Sequence, residues 1–333
     1  MISGKWQRHL AALGGQIRPA VGVYKRLRLQ YVQKPLRRTP ILGPHLVKAW
    51  HGRRFLEQMG NPVRLDPPQG FNDHIVHRIV HDRDPRLKTV CDKIAVRDII
   101  RERAGAEYLV PLLGVWSDPS AIAWDSLPER FVIKPSHASG AVAIVEGAHG
   151  RDIAALSAQA AAWLKDDYFD QSLEWGYLGL PRRIIAEPLL LGLGQHAPAE
   201  AQVLTFGGKA ALIRVLTGVK GTDARLDNWF DISGKRLPAH SLRLRRGDFE
   251  LSPEIARQIV PVAERASAGF CHLRVDFYLT DQGPLIGELT PYHGAALNPW
   301  SAPLIDEILG RLWRDPGHVA SWEQLHRAAG SGN

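Results

Sequence analysis

The chain has 333 residues, 45% of them apolar and 23% charged, and reads as a globular protein with room for a sizeable core. Cys91 and Cys271 stand far apart with no CxxC or Cys/His spacing, which excludes a disulfide scaffold or a structural zinc and suits a reducing cytoplasm. No apolar run approaches the roughly 18–20 residues of a membrane span.

The net charge of +8 is gathered at one end. Residues 1–60 hold 12 Lys/Arg against the single acid Glu57, leaving 30 basic and 33 acidic residues elsewhere. Mixed with Trp6, Leu10, Ile17, Val21, Tyr24 and Leu27, this basic arm suits an interfacial helix on an anionic membrane better than an RNA-binding tail. No nucleic acid partner is expected. An extension packed on the body is the alternative reading.

Gly60-Asn61-Pro62 and Asp66-Pro67-Pro68 end the arm. After them FNDHIVHRIV (71–80) has helical spacing, and CDKIAVRDIIRERA (91–104) predicts a second amphipathic helix stopped by Gly105. YLVPLLGVW (108–116) is a strand-and-turn stretch. FVIKP (131–135) and AVAIVEG (141–147) predict two strands joined by the small-residue loop SHASG, followed by an Ala-rich helix over 152–165. Strands follow at 183–191, 202–208 and 209–218, then a helix at 253–269 that Pro261 should kink. CHLRVDFYLT and PLIGELT form a hairpin around Asp281-Gln282-Gly283, and 302–313 is a closing helix. The mixture points to an α+β fold.

Two local patterns carry chemistry. In the hairpin, Leu273, Val275 and Phe277 alternate with Arg274, Asp276 and Tyr278. A three-residue loop over 281–283 would set Asp276 directly across from Glu288, whereas an even loop would put them on opposite faces. Paired carboxylates in an apolar sheet need a cation, and their oxygens suit Mg²⁺, with pairing to arginines such as Arg274 as the alternative. The second pattern is Lys134 at a strand end, followed by a loop whose backbone N–H groups suit phosphate oxygens, although an ordinary hairpin turn reads equally from it. Gly192-x-Gly194-x-x-Ala197 imitates a dinucleotide fingerprint but lacks its βαβ context. His74, His77 and His81 read as a packed or solvated helix face rather than as zinc ligands.

Order and spacing then add a resemblance. FNDHIVHRIVHDRDPRLKTVCDKIAVRDII, YLVPLLGVW, LPERFVIKPSHASG, EWGYLGLPRRIIAEPLL, FGGKAALIRV and RVDFYLTDQGPLIGELT resemble the TupA-like (teichuronopeptide-biosynthesis) branch of the ATP-grasp ligases. The resemblance implies an α+β ATP-grasp fold, with two subdomains gripping ATP between antiparallel sheets. It implies an ATP-grasp domain over 66–316, while charge and breakers set apart a basic N-terminal segment over 1–62, read as a peripheral membrane arm, and leave a C-terminal tail over 317–333. Lys93 and Lys134 would contact ATP phosphates, His137, Ser139 and Gly140 would belong to the flap above them, and Glu187 would sit at the adenine-ribose hinge. Asp276 and Glu288 would hold Mg²⁺, with Arg274 and Lys134 as catalytic cations. Thr290 stands where many ATP-grasp enzymes have Asn, which leaves a second Mg²⁺ open, and Gln202 replaces a lysine of the branch.

The implied reaction is amide formation through an acyl-phosphate, in cytoplasmic polysaccharide biosynthesis or modification at the inner membrane face. A uronic-acid carboxylate and an amino acid are the implied substrates. A glycan kinase using His137 or His293 as base, or a nucleotide-binding protein without turnover, are the rival readings.

Overall fold

The computed structural model describes residues 34–147, 151–192, 197–219, 222–238, 240–317 and 322–323. The membrane-facing helix expected in the arm therefore lies, over residues 1–33, outside the described residues, as does most of the expected tail. No described helix is long and apolar enough to cross a membrane. The chain divides into two compact units, Met1–Arg53 and Arg54–Asn333. The described part of the first holds α1 (Lys34–Arg37) and most of α2 (Leu42–Met59).

In the second unit α3 (Phe71–His81) follows its predicted pattern, with Phe71, Ile75, Ile79 and Val80 buried. The predicted helix over 91–104 is instead broken into α4 (Arg86–Cys91) and α5 (Val96–Arg103). The break has a side-chain cause. Asp92 accepts from the Ile94 amide at 2.9 Å and from Arg183 Nη2 at 2.7 Å, so its carboxylate closes a local turn and anchors it to the residue just before β4.

Two sheets follow. The smaller has the order β1-β4-β2-β3, all antiparallel, from β1 (Gly114–Trp116), β2 (Arg130–Pro135), β3 (Ala143–Glu146) and β4 (Ile184–Pro188). Helix α6 (Ile153–Lys165), capped by Asp152, packs Leu156 and Ala160 into a core with Phe131, Ile133, Val145 and Ile184. Helix α7 (Tyr168–Ser172) follows it.

The larger sheet adds β5 (Ala199–Phe206), β6 (Lys209–Thr217), β7 (Leu226–Asp231), β8 (Arg245–Arg246), β9 (His272–Thr280) and β10 (Gly283–Thr290). Its order is β10-β9-β5-β6-β7-β8, antiparallel except between β7 and β8. One face carries Ala201, Val203, Ile213, Val215, Leu273, Val275 and Phe277 against α8 (Pro253–Ser267), which supplies Ile259, Val262, Ala263 and Ala266. Pro261 stands inside α8 on an exposed position. The other face carries the polar side chains of the candidate site. The closing helix is α9 (Leu304–Arg314).

The hairpin corrects a sequence expectation. Its turn has two residues, since Thr280 pairs with Gly283, and by the alternation rule that places Asp276 and Glu288 on opposite faces. A bulge at Gly287 shifts the register by one, and Glu288 becomes the Cα partner of Asp276 after all. Glycine is required there: an added Cβ would lie 2.6 Å from the Tyr278 ring. We expect Gly287→Ala to lower stability by about 1–3 kcal/mol through this overpacking, read as a lowered melting midpoint. An unchanged midpoint would show that the bulge has room to spare.

Candidate active site

The larger sheet's polar face is organised around Arg274. Its Nε and Nη2 donate to both oxygens of Asp276 at 2.6 Å, a two-pronged ion pair buried to about nine-tenths. The same Nη2 reaches Glu288 Oε1 at 3.4 Å and Thr290 Oγ1 at 3.3 Å, and the Thr290 hydroxyl donates to Glu288 Oε1 at 2.8 Å. Asp276 Oδ2 also accepts from Gln202 Nε2 at 3.3 Å, and Gln202 Oε1 accepts from Arg214 Nη1 at 3.4 Å. Arg214 is held in turn by Asp227 at 2.6 Å. The cation that Gln202 lacks thus stands one strand further on, at Arg214. Burial pushes the Asp276 carboxyl up to about 7, against the pull of Arg274.

The smaller sheet contributes a second pair. Val132 is the Cα partner of Glu187, which makes Lys134 and Glu187 diagonal neighbours on one face, and Lys134 Nζ lies 2.6 Å from Glu187 Oε2. The family resemblance implies phosphate contact for Lys134 and a hinge position for Glu187; the structure joins the two in one buried ion pair.

Lys93 ties the two halves together. It sits in the break between α4 and α5, where its amide donates to the Ser136 carbonyl at 3.0 Å and its Nζ donates to the Ala138 carbonyl. Burial pulls its ammonium below the usual lysine range, and its charge feels Glu288 from the larger sheet together with Lys134 and Glu187 from the smaller. An unbroken helix over 91–104 would leave no such turn.

The loop residues divide. His137 is turned onto α6: Nε2 donates to the Trp163 carbonyl at 3.1 Å, which leaves Nδ1 buried with no partner. Ser139 acts on the Tyr168 hydroxyl of α7, lowering it against the rise that burial causes. Gly140, at φ +80°, is exposed over open space. His293 is fully buried, with Nδ1 3.4 Å from Arg274 Nη1.

The donor set at the hairpin fits Mg²⁺. Two hard carboxylates are adjacent, the Glu288 side chain is one-third exposed, and each oxygen keeps lone pairs beyond its present hydrogen bonds. Among the described residues no cluster of three or more His, Cys, Asp or Glu could enclose a metal, so any cation here would need oxygens from a ligand. His74, His77 and His81 form no such cluster either.

Comparison with known proteins decides the family: the TupA-like ATPgrasp model matches residues 73–314. The chain belongs to the TupA-like ATP-grasp family. Its fold is accordingly the α+β ATP-grasp fold, with the residues above distributed over both antiparallel sheets. No curated protein matches the chain. Among solved structures it is similar to a D-alanine–D-alanine ligase from Bacillus anthracis complexed with ATP, at 16% identity over 71% of this chain and 61% of that one, TM-score 0.37. It is also similar to an ADP complex of PurK, the N5-carboxyaminoimidazole ribonucleotide synthetase, at 14% over 62% and 46%, TM-score 0.41. A third is the ATP-grasp ligase PsnB complexed with a phosphomimetic precursor variant, Mg and ADP, at 14% over 70% and 61%, TM-score 0.37. The chain spans less than two thirds of the length of each.

Sequence reasoning missed Glu174, which lies 5% exposed just after α7, within the family-like segment EWGYLGL. Burial holds its carboxyl at about 8 against an ordinary 4.5, with Arg54 pulling the other way. The folded chain therefore keeps a proton there that the unfolded chain gives up. Its stabilising effect is complete below about pH 4.5 and is lost as pH rises through about 8. We expect Glu174→Gln, which never ionises, to gain melting temperature relative to the parent as pH rises from 5 to about 8. Melting curves across that range check this, and parallel curves would contradict it.

Proposed function

We propose that the chain is an ATP-dependent, amide-forming ligase acting through an acyl-phosphate in the building or modification of a cell-surface polysaccharide. The observation that supports it most is the charge arrangement. Lys93 and Lys134 stand on one side, Asp276 and Glu288 with Arg274 on the other, and the charge of Lys93 is sensed across both sheets.

In this reading Lys93 and Lys134 bind phosphate oxygens of ATP, and Lys134 exchanges its pairing with Glu187 for the nucleotide. Asp276 and Glu288 hold Mg²⁺, which when bound would neutralise charge on the phosphates. Arg274 has a guanidinium that Asp276 fixes in place, so it meets the charge developing on the transferred phosphoryl group without having to reorganise. An oxygen of the acceptor carboxylate bonds to the γ-phosphorus as the bond to ADP breaks. An amine nitrogen then bonds to the acyl carbon as phosphate leaves with the electron pair of its C–O bond. A uronic acid and an amino acid are the substrate pair this reading takes from the family.

The kinase alternative needs a general base at the acceptor hydroxyl. Neither histidine suits that role. His137 Nε2 is committed to Trp163 and its Nδ1 is buried, while the His293 ring is fully enclosed beside Arg274. Mass spectrometry of glucuronate and amino-acid mixtures incubated with Mg-ATP separates the readings. The ligase yields an amide with free phosphate, the kinase a phospho-sugar, and a protein without turnover yields neither. We expect Asp276→Asn to reduce phosphate release by at least about 100-fold. Undiminished release in that variant would remove Asp276 from the site.

A further inference from the structure

Glu174 stands between α7 and the tight turn Trp175–Tyr177. Its main chain is satisfied, since its amide donates to Ser172 Oγ at 3.2 Å and its carbonyl accepts from the Tyr177 amide at 3.0 Å. Its side chain is not: among the described residues the carboxylate accepts no hydrogen bond and joins no ion pair. A carboxylate left this way, only 5% exposed, is costly unless something from outside brings a counter-charge.

The surroundings say what kind. Tyr168 and Tyr177 stand edge to face with ring centroids 4.6 Å apart, and both are half-buried, so part of each reaches the surface. The groups that share the electrostatics of Glu174 are Arg54 of α2, Cys91 of α4, Tyr168, Tyr177 and Tyr292. Of these only Arg54 is a cation, and its charge lowers the Glu174 carboxyl without offsetting the rise that burial causes. Aromatic rings beside a desolvated carboxylate are the environment that holds an organic ammonium. The position is adjacent to the site already described. Ser139 of the loop after β2 and Glu288 of β10 both act on the Tyr168 hydroxyl, and Glu288 also acts on Tyr177 and Cys91.

We propose that Glu174, with the rings of Tyr168 and Tyr177, receives the primary ammonium group of the amine substrate. The inference rests on the ligase reading and names the subsite for its second substrate. The carboxylate takes one proton from R–NH₃⁺. The free amine then bonds to the acyl carbon, phosphate leaves, and the second N–H proton goes to the departing phosphate. A carboxyl held at about 8 is far closer to an amine's own value than an ordinary carboxyl, which makes it a competent base.

The test needs no knowledge of the substrate. Full-length protein is melted in amine-free borate at about pH 8.5, where the carboxyl is ionised, against n-propylammonium chloride and against KCl at matched ionic strength. The expected result is a saturable rise in melting temperature with n-propylammonium only, at least tenfold weaker in Glu174→Gln and weakened several-fold in Tyr168→Leu. An equal response to K⁺, a response kept in Glu174→Gln, or no response in the parent protein would overturn the proposal. Mg-ADP binding, followed by calorimetry on the same samples, keeps the two claims apart. Its loss in the parent protein would sink the ligase reading, while its retention in Glu174→Gln shows a folded variant.

Discussion

The structure turns on one buried guanidinium. Arg274 grips both oxygens of Asp276 at 2.6 Å and reaches Glu288 on the next strand, in a sheet whose opposite face is largely apolar. The two carboxylates also act on one another, a repulsion that a further cation would relieve. Everything near it serves to hold this arrangement in register. The bulge at Gly287 returns Glu288 to the face of Asp276, Thr290 fixes the Glu288 oxygen, and Gln202 passes the second Asp276 oxygen to Arg214 and Asp227.

The second constraint is the interruption between α4 and α5. Asp92 closes the turn through the Ile94 amide and is bonded to Arg183, so the turn carrying Lys93 is fastened beside the smaller sheet while α5 packs into the larger sheet's core. Lys93 thereby lies where charges from both sheets act on it. The Lys134–Glu187 pair on the smaller sheet is preorganised in the same sense, each side chain held by the other at 2.6 Å.

Much of this was legible in the sequence, for definable reasons. Strand alternation assigns Leu273, Val275 and Phe277 to the core and Arg274 and Asp276 to the other face without any knowledge of neighbours. The ordered motifs identify the ATP-grasp fold and the TupA-like family. What escaped depends on partners far along the chain. The break at Asp92 needs Arg183, which lies just before β4 and 91 positions away. The Lys134–Glu187 pair needs β2 and β4 to be neighbours, although β3 and two helices separate them. The two-residue turn and the bulge cancel one another in register, so the expected pairing of Asp276 with Glu288 holds by a route that loop length does not reveal. Glu174 lies in the family-like segment EWGYLGL, but the burial of its carboxylate is visible only in the folded chain.

The central claim is that the carboxylates around Arg274 form a divalent-cation centre completed by nucleotide phosphates. Electron paramagnetic resonance of Mn²⁺, titrated into the full-length protein with and without ADP, tests it most directly. The account predicts ADP-dependent binding of Mn²⁺ in the parent protein and its loss in Glu288→Gln, whose fold is checked by its melting curve. ADP-dependent Mn²⁺ binding of equal strength in Glu288→Gln would contradict it.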